Sequence, residues 1–384
     1  MGSKKNRTTP IRYWHAAIMI SFLLLEISCQ RINHEEVIEG RHGQLYQAMF
    51  IRDYTGERLL RDYSNEEEAK VDAKHRVETT KALIDSLRHR DKIFLFVFVP
   101  SKTIVYQDDL PKRIRNQRSR FSLEEYYIRL FKENGIPHID FYSYFQDLRK
   151  KHPYPLYSPY GSHWAQGTMP MVGDSILRMI EAISDYRLPS IEITNINLTT
   201  DYTRQDAELE TMLDLPHPLP RKPLPRPICQ LTDTLDKDQP NLLVVGDGDF
   251  VPLRNSCFVE AFNQWDFWEY NRNEVSSRPW IKKTTLEDCP YAYQILDEAD
   301  IILGIMTAPY FYQYFFGFEQ RAFQLWEHGP LSQNELIELK MKEISGNKQW
   351  YDAIVKQAHE RGVTVEENLR LNATYVIQMQ QNKP

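Results

Sequence analysis

Leu242-Leu243-Val244-Val245-Gly246-Asp247-Gly248-Asp249 is an apolar run that ends abruptly in alternating glycine and aspartate. Consecutive Leu and Val with no polar alternation, closed at once by turn-forming residues, describe a strand covered on both faces, as in a parallel sheet. Three other stretches have the same character: Ile93 to Val99, Ile136 to Phe141, and Ile301 to Ile305. Helical patterns separate them. Ser64 with Glu67 forms a capping box ahead of Ala73, Val77, Thr80, Ile84 and Leu87, which predicts a long amphipathic helix running to about Arg90. Ser122 with Glu125 opens another, which Gly135 closes. This alternation predicts an α/β domain with a mainly parallel sheet and helices on both faces.

A chain of 384 residues with 42% hydrophobic side chains has room for one large α/β domain and an appendage. The net charge of −6, with Lys and Arg spread along the chain, excludes a nucleic-acid partner. Lys4, Lys5, Arg7 and Arg12 precede an apolar stretch from Ala16 to Leu25 that ends in Ile27-Ser28-Cys29. That order reads as a secretory signal with a lipoprotein cleavage site, and Cys29 is the expected lipidation point. The apolar stretch is shorter than the ~20 residues a membrane-spanning helix needs. Glu26 stands where such a cleavage site usually has Leu, so an uncleaved signal anchor is the alternative for residues 1–29. In both cases the body of the protein lies outside the cytoplasm, tethered to a membrane. If Cys29 carries lipid, Cys229, Cys257 and Cys289 allow at most one disulfide, and their spacing lacks the Cys-x-x-Cys pairs of a zinc site. No pattern in the chain calls for a metal or a cofactor.

Pro216, Pro218, Pro220, Pro223, Pro225 and Pro227 predict an extended surface connection over residues 216–227. The main domain is expected over residues 36–330. Ser332 with Glu335 and Thr364 with Glu367 are two more capping boxes, punctuated by Gly346 and Gly362, so residues 331–384 are expected to form a short helical extension. Trp350, Ile354, Ala358, Leu369, Leu371, Tyr375 and Val376 are its candidates for packing on the main domain.

Leu156-Tyr157 with Gly161-Ser162-His163-Trp164, followed later by the run ending in Gly246-Asp247, resembles the SGNH-hydrolase-like domain of the AlgX/AlgJ family, periplasmic alginate O-acetyltransferases. Gly40 to Tyr46, the Val99-Pro100-Ser101-Lys102, Val105-Tyr106 and Leu110-Pro111 stretch, and Leu209, Met212, Leu213, Leu215 and Pro216 add to the likeness, with Glu208 where the family has Asp. The resemblance implies a three-layer SGNH-like fold and a periplasm-facing setting in the cell envelope. It also implies a triad. A serine hydroxyl becomes a nucleophile only when a base takes its proton, and the base needs a carboxylate to hold its tautomer. The family pattern, Asp-x-His-Trp and then Gly-Asp-Ser, puts the carboxylate on Gly161, the base on His163 and the nucleophile on Gly248. Only His163 is retained. Trp164, Asp247, Asp249 and Lys102 complete the candidate site.

Ser162, Ser256 and Asp249 are the candidate replacements for the nucleophile, although an extended backbone would turn Ser162 away from His163. The competing structural role for His163 is to hold a loop, with Trp164 as a core aromatic. Asp247-Gly248-Asp249-Phe250-Val251 also matches the Asp-x-Asp opening of haloacid-dehalogenase-type phosphotransferases, but that motif opens its domain, and here most of the α/β pattern precedes it. Tyr310, Phe311, Tyr312, Tyr314, Phe315 and Phe316 form an aromatic cluster suited to core packing or to stacking on sugar rings. The resemblance therefore implies a non-catalytic, extracytoplasmic protein acting in polysaccharide O-acetylation, with a glycan or a membrane-bound O-acyltransferase as partner. The alternative is an active O-acetyltransferase or acetylesterase with a displaced nucleophile.

Overall fold

The computed structural model describes residues 36–276, 285–287 and 289–381. The signal segment and Cys29 lie outside the described residues. A short antiparallel pair, β1 (Val37–Glu39) and β2 (Leu45–Gln47), precedes the main sheet. That sheet takes β3 (Ile93–Val99) and β4 (His138–Asp140), while β5 (Ser190–Thr199) and β6 (Leu224–Thr232) form a separate two-stranded antiparallel ribbon. The sheet is completed by β7 (Asn241–Gly246), β8 (Gln264–Glu269), β9 (Glu274–Ser276) and β10 (Ile301–Thr307). Its order is β4-β3-β10-β7-β8-β9, parallel throughout except for β9.

The central strands are buried on both faces, as their unbroken apolar sequence requires. Phe94 to Val99 are each 3% exposed or less. Phe96 and Phe98 meet Phe131 of helix Leu123–Glu133 at ring distances of 5.0 and 5.1 Å. Helices Phe141–Leu148 and Met169–Ile183 also pack against β3. The first long helix spans Glu66–Arg88, and its cap is one residue later than the sequence spacing suggests. Asn65 Oδ1 accepts from Glu68 N at 3.0 Å, while Glu68 Oε2 accepts from Ser64 N at 2.7 Å.

Two expectations are corrected. Pro225 and Pro227 belong to β6, not to a linker, and lie opposite Leu198 and Ile196 in the ribbon. Each strand of a two-stranded ribbon has one open edge, and there a missing N–H leaves no ladder bond unmade. The C-terminal helices, Gln333–Gly346, Lys348–Arg361 and Val365–Gln381, bury their apolar side chains chiefly against one another. Ile337, Met341, Ile344, Ile354, Leu369 and Ala373 make a core of their own, whereas Leu371 and Tyr375 are 57% and 63% exposed. Both capping boxes form there. Cys229 of β6 is bonded to Cys257, tying the ribbon to the main domain, and Cys289 is a buried free thiol. Among the described residues no helix is long and apolar enough to cross a membrane.

Candidate functional site

The site forms at the carboxyl ends of the parallel strands, where open α/β sheets place their ligands. β7 ends at Gly246, and Asp247, fully buried, accepts from the Thr307 amide at 2.8 Å, the Thr307 hydroxyl at 2.7 Å and the Asp249 amide at 3.0 Å. The Thr307 hydroxyl also lies 2.8 Å from Asp249 Oδ2. A hydroxyl has one proton, so both contacts are satisfied only when one carboxyl is itself protonated. Asp247 has the more donors and keeps the charge. Burial, opposed by His163 and reinforced by the charge on Asp247, pushes Asp249 up to about 7.

The loop carrying His163 is held from beneath by Lys102. Its Nζ donates to the carbonyls of Ser158 (2.7 Å), Pro159 (2.7 Å) and Gly161 (3.0 Å), which uses all three protons. Burial lowers the pKa of this ammonium well below the usual lysine range. At the far end of the loop, Trp164 Nε1 donates to the Asp249 carbonyl at 2.7 Å, fastening the histidine segment to the turn after β7. Lys102 and Trp164 are thus positioning residues.

His163 has its carboxylate after all, and Gly161 is not its source. Glu208, first residue of the short helix Glu208–Met212, accepts from His163 Nδ1 at 2.8 Å through Oε1. The same oxygen accepts from the Ser162 amide at 2.7 Å and from the Ser162 hydroxyl, so Ser162 is turned toward the pair and already committed. Burial would raise the Glu208 carboxyl, but the imidazole and the Ser162 donors hold it down at about 2. Burial would lower His163, but the carboxylates of Asp249, Glu208 and Asp247 hold it up at about 9. At Gly161 a Cβ would lie 2.1 Å from the Gln205 carbonyl oxygen. The backbones pass so closely there that no side chain fits, which is why the carboxylate comes from Glu208 on the neighbouring segment.

Gly248 is different. It has no positive φ, so its backbone does not require glycine. A Cβ built on it would lie 2.9 Å from His163 Nε2 and 3.8 Å from Glu269 Oε1. The position faces the free nitrogen of the imidazole and lacks only the side chain. Above it lie two cavities of about 300 and 330 Å³ that share His163, Arg204, Glu208, Gly248 and Arg272. Arg254 and Glu269 extend the first, and Asp247, Asp249 and Tyr310 the second. Glu269 is paired with Arg272 at 3.1 Å.

No protein-family model matches the chain, and no curated protein sequence does. Among solved structures, the O-acetyltransferase domain of Pseudomonas putida AlgJ is similar over 74% of this chain and 99% of its own, at 12% identity and a TM-score of 0.42. Pseudomonas aeruginosa AlgX is similar over 74% of this chain and 67% of its own, at 13% identity and a TM-score of 0.47. Bacillus cereus PatB1, solved with a sulfonyl adduct, is similar over 63% of this chain and 90% of its own, at 11% identity and a TM-score of 0.41.

The other candidates fall away from the site or into its frame. The Ser256 hydroxyl donates to the Leu253 carbonyl at 2.6 Å and caps the turn after it, and Ser256 lines neither cavity. Phe311, Tyr312, Tyr314 and Phe315 are buried core, and Tyr310 is the member of that cluster that reaches the cavities. Asp247 and Asp249 both contact the Thr307 hydroxyl, at 2.7 and 2.8 Å. Sequence reasoning missed Glu208 and Arg204. The signal for Glu208 was present: it stands where the resembling segment has Asp, so that position keeps a carboxylate.

Proposed function

We propose that the cleft over Gly248 binds a sugar polymer substituted or substitutable with acyl groups, and does so without turning it over. The observation that carries this reading is the pairing of an intact Glu208–His163 dyad with a missing side chain at its free nitrogen. Base and orienting carboxylate persist, whereas the atom that would carry an acyl group does not, and a double displacement has no first step without it. Ser162 cannot replace it while its hydroxyl is spent on Glu208. The protein then acts in polysaccharide O-acetylation outside the cytoplasm, holding glycan or docking to a membrane-bound O-acyltransferase. The sequence resemblance supports that setting, and so does the Cys229–Cys257 disulfide, since such bonds persist in oxidising compartments. Incubation of the purified protein with acetylated oligosaccharides is expected to release no acetate above the buffer rate, and His163→Ala is expected to change nothing. Acetate release that disappears in His163→Ala would overturn the proposal.

A further inference from the structure

A further cavity, of about 160 Å³, shares no lining residue with the cleft over Gly248. Helices Ala48–Tyr54, Leu123–Glu133 and Phe141–Leu148 enclose it together with the loop before Leu123, and bring Asp53, Tyr54, Glu124 and Tyr142 to its walls. Glu124 sets its chemistry. It is the second residue of its helix and only 2% exposed, yet among the described residues no hydrogen bond reaches either of its carboxyl oxygens. The tyrosine hydroxyls of the lining are spent elsewhere, Tyr142 on Glu125 and Tyr54 on the Arg115 carbonyl at 3.4 Å. Arg118 donates to Gln107 at 3.0 Å and to Glu125 at 3.3 Å, and both Arg118 and Arg120 are exposed, so they stand at the rim. A buried acceptor left unserved is costly, and a buried carboxylate more so.

The Asp53 carboxyl lines the same space and is the strongest of the charges acting on Glu124. Burial, with Asp53, Asp140 and Glu125 beside it, raises the Glu124 carboxyl well above its usual range. Burial also raises Asp53 to about 6, opposed by its hydrogen bond with Tyr312 and by Arg58. The pair thus holds a proton that an entering cation displaces. The volume is several times the ~30 Å³ share of one water molecule, so a ligand of a few heavy atoms fits. Two carboxyl groups fall short of the roughly six to eight oxygens a calcium ion takes, whereas Tyr54, Phe121 and Tyr142 supply aromatic lining, which attracts an organic cation and covers its carbons. We propose that this cavity binds the primary ammonium group of a small amine: its N–H donors serve the free oxygens of Glu124 beside Asp53, and its alkyl stem lies along the aromatic lining.

The test is a titration of the full-length protein at about pH 8, followed through the backbone amide NMR resonances of Ser122 to Glu125. The probes are ethylammonium chloride, ethanol as its neutral counterpart, tetramethylammonium chloride, which has no N–H, and calcium chloride. Ethylammonium is expected to move these signals saturably with a Kd of about 1 mM or weaker, the ceiling for three non-hydrogen atoms. Ethanol and tetramethylammonium are expected to bind at least about tenfold more weakly, the worth of a charged hydrogen bond. Glu124→Gln keeps the shape and removes the charge, and Asp53→Asn does the same on the facing helix. Each is expected to weaken ethylammonium at least about tenfold with the thermal melt unchanged or raised, while His163→Ala leaves the affinity as it was. Ethanol or tetramethylammonium binding as tightly as ethylammonium, calcium binding more tightly at the same signals, or wild-type affinity in both carboxyl variants would overturn the inference. So would the absence of saturable ethylammonium binding up to about 100 mM.

Discussion

Replacing Gly248 with serine is expected to convert the binding cleft into an esterase. The Cβ would lie 2.9 Å from His163 Nε2, closer than carbon and nitrogen settle, so the ring must retreat by a few tenths of an ångström. It is able to: the ring is the far end of a side chain, 21% exposed and held by one hydrogen bond of 2.8 Å. The hydroxyl oxygen then comes within hydrogen-bond reach of Nε2, with Glu208 already orienting the other nitrogen. General-base assistance contributes about 10²- to 10⁴-fold, and that gain over wild type is expected in hydrolysis of a nitrophenyl acetate ester. The pH profile supplies a second check. His163 is held up at about 9, and only the neutral ring accepts a proton, so roughly one site in a hundred is active near neutrality. Activity of Gly248→Ser should therefore rise about tenfold per pH unit and level off near about 9. A folded Gly248→Ser protein with no gain, or a gain unaffected by adding His163→Ala, would refute the reasoning.

Three other outcomes follow from the same geometry. Gly161→Asp is expected to destabilise by about 1–3 kcal/mol in chemical denaturation and to add nothing to Gly248→Ser, because its Cβ meets the Gln205 carbonyl at 2.1 Å; wild-type stability would contradict this. The His163–Glu208 pair stabilises through a histidine raised to about 9 and a glutamate lowered to about 2. The histidine part is complete below the unfolded value near ~6.5 and lost as pH rises through about 9, and the glutamate part is complete above ~4.3 and lost as pH falls through about 2. A double-mutant cycle with His163→Gln and Glu208→Gln should thus show its largest coupling, on the order of 2 kcal/mol, between about pH 4.5 and about pH 6.5, and a coupling flat across pH would count against the pair. Lys102→Met strands the buried carbonyls of Ser158 and Gly161, while that of Pro159 keeps the Leu45 amide, and is expected to cost about 3 kcal/mol in the same denaturation assay and to abolish the activity gained by Gly248→Ser; a neutral effect would show that the lysine does not hold the loop.

The strands of the sheet centre were legible because burial on both faces writes itself as unbroken runs such as Phe94 to Val99 and Leu242 to Val245. β8 was not, since Gln264, Asp266 and Glu269 interrupt its apolar residues as it approaches the edge of the sheet. The proline ribbon was hidden for a related reason: proline forbids a central strand but not the open edge of a pair. At the site, the chain order of motifs correctly brought His163 and Gly248 together. It misplaced the carboxylate, because an orienting group is defined by where its oxygen lies and not by its distance along the chain. Glu208 stands 45 positions from His163 and reaches it through the backbone bond of 3.0 Å from Leu209 N to the Tyr160 carbonyl, which zips the two segments together. The tight approach at Gly161 is likewise a matter of backbone proximity that no local pattern records.

The central claim, that the site lacks a nucleophile and nothing else, is tested most directly by covalent labelling with a sulfonyl fluoride, followed by intact-mass and peptide analysis. Wild type is expected to stay unmodified, Gly248→Ser to gain one adduct on the peptide containing residue 248, and the adduct to vanish when His163→Ala is added. An adduct on wild type at Ser162 or Ser256, or a folded Gly248→Ser protein that takes no label, would contradict the account.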